Sequence, residues 1–262
     1  MTRQLCFIHI PKTAGTTIAS GLASSLVPGE KICPATSFAG LISLCKNVDI
    51  NTYQFFHGHF TGCILKVLGC NVEYFTVLRD PLSRAISDYN YISSQPDHPL
   101  HHLVIQKVNF DAFISDRMTF KHNSMTLSLG TDVNPFEIIG YRRLFKSGKP
   151  IDQEINEAIF EIPATDRHLL NAIRVLDACV FVGIQERMDE TSYLMAEIIG
   201  GKLDGRTPSL NVSPKRADLQ TLPEEVIAKF KESNKLDYIL YDVAARRMER
   251  DLASLPARVM NG

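Results

Sequence analysis

Leu5-Cys6-Phe7-Ile8-His9-Ile10-Pro11-Lys12-Thr13-Ala14-Gly15-Thr16-Thr17 decides how the rest of this chain is read. Residues 5–10 form a short, mainly apolar run closed by Pro11, the pattern of a strand buried in a parallel sheet. Pro11 and Gly15 break the run, and beyond them Ile18, Leu22 and Leu26 recur at helical spacing. A helix leaves its first amides without intrahelical acceptors, and Thr16 and Thr17 place hydroxyls beside them. Those amides, the helix dipole and the charge of Lys12 together make an anion site. A phosphate or sulfate is therefore expected on Lys12, Thr13, Ala14, Gly15, Thr16 and Thr17.

A second strand-to-helix junction has a similar character. Residues 73–78 (Glu-Tyr-Phe-Thr-Val-Leu) read as a buried strand ending in Arg79-Asp80-Pro81, and a helix follows through 82–91. Proline is tolerated in the first turn of a helix, which suits Pro81. Arg79 at the strand end and Ser87 two helical turns on can converge on one anion. A guanidinium fork with a hydroxyl is good chemistry for a terminal phosphate. The competing expectation pairs Arg79 with Asp80 or Asp88 at the helix start.

Between the two junctions lies Tyr53-Gln54-Phe55-Phe56-His57-Gly58-His59-Phe60, whose first residues, 53–56, read as a strand. A neutral imidazole near its intrinsic pKa can accept a proton from a hydroxyl. Residues two apart share a face if the strand runs on through Gly58, whereas a break there turns one ring away. His57 and His59 are both candidate catalytic groups, and the sequence does not rank them.

The lysine of the first loop precedes Gly15, whereas the Walker pattern G-x-x-x-x-G-K-[ST] places it after the last glycine. In this respect the loop resembles the 5′-phosphosulfate loop of sulfotransferases that use 3′-phosphoadenosine 5′-phosphosulfate (PAPS). The wording of 7–17 looks most like the carbohydrate branch, which includes the heparan and chondroitin sulfotransferases. That resemblance implies a P-loop-like three-layer α/β fold, with a central parallel sheet flanked by helices. It also implies a single sulfotransferase domain over 1–262, with about 95–150 as an acceptor-binding insertion. Arg79 and Ser87 occupy the positions that hold the cofactor's 3′-phosphate in that family, and the His-Gly-His segment matches its base, with His57 favoured as base and His59 as partner. The segment 210–216 looks like the family's loop over the adenosine end, which would bring Ser213, Lys215 and Arg216 to a phosphate. The segment 123–130 resembles the asparagine-rich stretch before the acceptor site, and 181–190 resembles a further shared segment. PAPS is the implied sulfuryl donor, no metal is implied, and the implied acceptor is a hydroxyl on a sugar or glycoconjugate. The rival enzyme is a P-loop small-molecule kinase, which needs Mg²⁺ and a partner carboxylate. A catalytically silent nucleotide-binding protein on the same fold is the rival of another class.

Bulk properties agree with an ordinary globular enzyme. The 262 residues are 45% hydrophobic and 22% charged, enough for one sizeable core. A formal net charge of −1 speaks against general attraction to nucleic acid or anionic membranes. The basic run 142–149 (Arg-Arg-Leu-Phe-Lys-Ser-Gly-Lys) is expected to be a solvated face. Six cysteines, at 6, 33, 45, 63, 70 and 179, show neither C-x-x-C pairing nor zinc spacing, and reduced thiols are expected. His98, His101 and His102 invite a metal reading, but no carboxylate or cysteine completes a ligand set with them at short range. The first core strand opens at Leu5, and no apolar run is long enough to span a bilayer. Eukaryotic relatives of the resembling family carry an N-terminal membrane helix. The departure from that pattern suggests a bacterial cytoplasmic relative or a trimmed catalytic domain, and the first, a cytoplasmic protein without an integral membrane segment, is the expectation here.

Along the chain, strands and helices alternate in the N-terminal part, which predicts a parallel sheet with ligands beyond its carboxyl ends. A short helix is expected over 110–117 and an amphipathic helix over 165–176. The strand 179–184 should lead into a helix from Glu186, and helices from Pro223 and Asp237 should close the chain. The last of these should pack Tyr238, Leu240, Tyr241, Val243, Ala244 and Met248 inward.

Overall fold

The computed structural model describes residues 3–134, 137–138, 148–200 and 217–255. Ser213, Lys215, Arg216 and residues 142–147 of the basic run lie outside the described residues.

The apolar run at the start becomes β1 (Gln4–Ile8), and it sits inside the sheet rather than at its edge. β2 (Phe55–Gly58) pairs with one side of it and β3 (Val72–Leu78) with the other, while β4 (Cys179–Ile184) adds beyond β3. All pairings are parallel. Parallel neighbours need long crossovers, and helices supply them. α1 (Gly15–Leu26) and α2 (Phe38–Leu44) lie between β1 and β2 in sequence, and α3 (Ile64–Leu68) lies between β2 and β3. The long passage from β3 to β4 carries α4 (Pro81–Ser94), α5 (His101–Val104), α6 (Phe110–Ser115), α7 (Ser124–Gly130), α8 (Ile151–Phe160) and α9 (Asp166–Ala178). After β4 come α10 (Met188–Ile199), α11 (Glu224–Ser233) and α12 (Lys235–Ser254). The molecule is thus an α/β protein with a four-stranded parallel sheet flanked by helices.

The strand order β2-β1-β3-β4 has a consequence for ligands. The chain leaves β1 toward one side and then crosses back to the other, so the connections diverge between β1 and β3. Open parallel sheets bind ligands at such a switch point, beyond the carboxyl ends of the strands.

Register fixes what lines one face. Phe7 pairs with His57 on one side and Phe75 on the other, and Phe75 pairs with Phe181. The Phe7, Phe75 and Phe181 rings stack at 5.0 Å between successive centroids. All three phenylalanines are fully buried. β2 is shifted from the expected 53–56 toward the histidines, because Phe55 and Phe56 are its buried pair and His57 lies within the strand.

A second apolar cluster lies against α4. Leu82, Ala85, Ile86, Tyr89 and Ile92 pack there with Phe110, Phe113, Phe120 and Phe230. α4 itself starts as expected, with Pro81 in its first turn and Asp80 capping it by accepting from the Ser83 N–H at 2.8 Å. α6 ends at Ser115, short of the expected 117, after burying Phe110, Phe113 and Ile114. On α12, Leu240, Ala244 and Met248 reach the main core, whereas Tyr238 packs on the second cluster.

The segment 123–130 is tied to that last helix. Residues 125–130 are all buried, and the Asp237 carboxylate accepts from the N–H groups of Met125 (3.2 Å) and Thr126 (2.7 Å). Asn123 and Asn234 cap one another's helices. The Asn123 N–H donates to Asn234 Oδ1, and Asn123 Oδ1 accepts from the Leu236 N–H, each at 3.0 Å. All six cysteines are free thiols, with Cys6, Cys33, Cys63 and Cys179 buried. Burial pushes the Cys63 thiol up to about 11. No helix among the described residues is long and apolar enough to cross a membrane.

Candidate functional site at the carboxyl ends of the strands

The loop after β1 has an unusual backbone. Lys12 (φ 70°) and Ala14 (φ 63°) both adopt left-handed conformations, although neither is glycine. Non-glycine residues held this way cost free energy and persist only where their surroundings enforce them. Between them Thr13 is fully buried, and its hydroxyl donates to the Ile10 carbonyl at 2.8 Å. Alternation of handedness along such a loop turns successive N–H groups into one concavity, an anion-binding nest. α1 then opens at Gly15, and the Ile18 N–H closes its first turn on the Ala14 carbonyl at 3.1 Å. Helix geometry leaves the Gly15 and Thr17 amides without intrahelical acceptors.

Gly15 is required for a reason other than its φ. A Cβ built there would lie 1.8 Å from His9 Nε2, so the His9 ring covers the start of α1. His9 follows β1 on the same face as Phe7, whose ring it stacks on at 5.4 Å. Its other ring neighbour is His59, with centroids 4.6 Å apart. His57 packs its ring 5.7 Å from that of Phe55. The row of rings across the sheet thus changes from phenylalanine to imidazole at the carboxyl end.

His59 lies just past β2, which ends at Gly58. The absent Cβ of Gly58 makes room for the chain beside it, since a built Cβ would lie 2.3 Å from the Thr36 carbonyl oxygen. The His59 N–H donates to that same carbonyl, and the His9 N–H donates to the Gly58 carbonyl, each at 3.0 Å. His57 and His59 are therefore delivered together, with His9 beside them.

These imidazoles are neutral at neutral pH. Burial, then the charges of His59, His57 and Lys12, brings His9 down to about 3. Burial lowers His57, and burial followed by the His57 charge lowers His59.

The cations sit on the other side of the loop. The Lys12 ammonium lies 3.7 Å from the centroid of the Tyr91 ring on α4, a cation–π contact. Its burial lowers the lysine pKa, and nearby Asp88 opposes that shift. Asp88 is itself raised by burial and drawn back by Arg84, Lys12 and His98. Arg79, just past β3, donates from Nη1 to the Lys12 carbonyl at 3.1 Å. That bond spans the β1/β3 switch point.

Among the described residues no ion pair joins Arg79 to Asp80 or Asp88, although the Asp80 charge acts on it. Asp80 is occupied as the α4 cap, and the acid beside Arg79 is Glu186, with 3.8 Å from Arg79 Nε to Glu186 Oε1. Glu186 belongs to a 3₁₀ turn (Gln185–Arg187) after β4, so α10 starts at Met188 and not at Glu186. Its Oε1 accepts from the Asp80 N–H and its Oε2 from the Tyr241 hydroxyl, each at 3.1 Å. Arg79 Nε is buried and has no hydrogen-bond partner among the described residues.

The structure thus brings Lys12, Thr13, Ala14, Gly15 and Arg79 together beyond the carboxyl ends of β1 and β3, with His57 and His59 at the end of neighbouring β2. Thr16 and Thr17 lie in the first turn of α1, the former exposed. Ser87 is half-buried on α4, and no contact joins it to Arg79 among the described residues. Sequence reasoning passed over His9, Tyr91 and Glu186. His9 lies in the deciding stretch, and its two-residue spacing from Phe7 was the available signal. Among the described residues no three His, Cys, Asp or Glu side chains are arranged to hold a metal ion. No protein-family model matches this chain, and no curated protein matches it.

Proposed function

We propose that this protein is a PAPS-dependent sulfotransferase on a P-loop-like fold, moving a sulfuryl group to a hydroxyl of a carbohydrate or glycoconjugate acceptor. The observation that carries this reading is the left-handed Lys12/Ala14 loop tied to Arg79 across the β1/β3 crevice. It provides two anion-binding elements side by side, as a donor with separate 5′ and 3′ phosphates requires. The buried, unpartnered Nε of Arg79 fits the second of them, because a buried donor without an acceptor is costly.

When bound, PAPS supplies the sulfuryl group and a phosphate leaving group. The residues of the chain do the rest. Lys12 and the amides of the loop carry the negative charge that grows as the sulfuryl group departs. Thr16, Thr17 and Ser87 offer hydroxyl donors. His57, or His59 beside it, takes the proton of the acceptor hydroxyl, and desolvation, joined at His59 by the His57 charge, lowers both rings from the ordinary histidine value.

Incubation with sulfur-labelled PAPS and a panel of sugar and glycoconjugate hydroxyls tests this. Label should pass to an acceptor, and EDTA should not stop it. Phosphoryl transfer from ATP that collapses in EDTA would instead establish the kinase reading. Nucleotide binding with no transfer from either donor would establish a silent binding protein.

A further inference from the structure

Arg79 has an acid partner that stops short of it. Glu186 Oε1 lies 3.8 Å from Arg79 Nε, near enough to attract the guanidinium and too far to accept its hydrogen. Both carboxylate oxygens are engaged elsewhere, Oε1 by the Asp80 N–H and Oε2 by the Tyr241 hydroxyl at 3.1 Å each. Glu186, on the turn after β4, is thus held from two sides: by Asp80 at the start of α4, next to Arg79, and by Tyr241 on α12. An unrestrained carboxylate beside an arginine closes into a bidentate pair, consuming two of its donors. Here that closure is withheld, and Nε keeps no hydrogen-bond partner among the described residues.

We infer that Glu186 and Tyr241 form a positioning device for Arg79, in which the Tyr241 hydroxyl restrains the carboxylate so that the guanidinium stays available to a terminal phosphate monoester. The inference rests on the reading of Arg79 as the 3′-phosphate site and adds the residues that keep it competent. Neither Glu186 nor Tyr241 need touch the ligand.

The test is a double-variant cycle read by calorimetry, with 3′-phosphoadenosine 5′-phosphate and adenosine 5′-phosphate as the two probes. The quantity read is the ratio of their affinities, which global loosening of the fold does not by itself change. Tyr241→Phe keeps the ring and removes only the hydroxyl. It frees Glu186 Oε2 to close on Arg79 and should lower the ratio about tenfold. In a Glu186→Gln background there is no carboxylate to release, so adding Tyr241→Phe should leave the ratio within about twofold. An unchanged ratio in Tyr241→Phe overturns the inference, as does an equal fall in the Glu186→Gln background, which would make Tyr241 merely structural. If the unmodified protein shows no preference between the nucleotides, the Arg79 reading fails first and the inference with it. A normal wild-type preference with a flat cycle rejects the positioning device alone.

Discussion

Arg79 donates to the backbone carbonyl of Lys12 at 3.1 Å, so the two cations expected to grip opposite ends of one ligand are tied to each other through the main chain. One comes from the loop after β1 and the other from the end of β3, the strands on either side of the sheet's switch point. A site held this way has less ordering left to do when a ligand binds. Its cost is visible in the left-handed backbone at Lys12 and Ala14.

Lys12→Ala should abolish most turnover without unfolding the protein. The ammonium packs on the face of Tyr91 and is only half-buried, so its loss removes a surface contact and no core volume. Removing one preorganised charge-stabilising group typically costs about 10²–10³-fold in kcat. Steady-state kinetics should show the loss mainly in kcat, with KM changed less. A normal kcat would reduce Lys12 to a surface residue on a tight turn.

His57→Ala should lower kcat by at least about 10²-fold, with His59→Ala also damaging. Because burial lowers both rings from the ordinary histidine value, the acid limb of kcat should fall below about pH 6.5, with a plateau through neutrality. If both single variants and the double variant keep near-normal kcat, the proton acceptor lies elsewhere.

Acid stability should report on His9. Its folded pKa, about 3, lies far below that of an exposed imidazole, so in mild acid the unfolded chain binds a proton that the folded chain refuses. Stability is therefore fully present above the unfolded pKa and is lost as the pH falls through it toward the folded value. His9→Phe should flatten the stability–pH slope between about pH 6 and 4 by roughly one proton. Denaturant melts across that range measure it, and an unchanged slope would mean that His9 is not held neutral by its neighbours.

Gly58→Ala should destabilise the fold by about 1–3 kcal/mol, the range for overpacking, because the new methyl meets the Thr36 carbonyl at 2.3 Å. Since His57 and His59 flank this position, activity should fall further than stability does. Thermal melts and kcat on the same preparation separate the two effects, and a silent substitution would contradict the close approach.

Much of the frame was legible from the chain because it rests on local chemistry. The apolar run into Pro11, the Asp80-Pro81 helix start and the apolar 179–184 strand each declare themselves within a few residues. What escaped was set by register and by distance in sequence. That His9 stands beside His59 follows only once Phe7 is known to pair with His57, and parallel register leaves no local signature. Asp80 and Asp88 were the competing partners for Arg79 because they are near in sequence. The true partner, Glu186, is more than a hundred residues away and adjacent only because β4 lies beside β3. Whether the strand ended at Gly58 stayed open in the sequence, because the chain that crowds it, at Thr36, is not visible from its neighbours. The segment 123–130 was placed by resemblance alone; its tie to α12, from Asn123 Oδ1 to the Leu236 N–H, joins residues more than a hundred apart and has no local signature.

Calorimetric titration of the wild-type protein with 3′-phosphoadenosine 5′-phosphate and with adenosine 5′-phosphate tests the two-anion crevice most directly. We predict that the 3′-phosphate strengthens binding by at least about tenfold, the worth of a charge-assisted contact to a half-buried arginine, and that Arg79→Ala erases the difference. Equal affinity for the two nucleotides in the wild-type protein would contradict the assignment of Arg79, and with it the sulfotransferase reading.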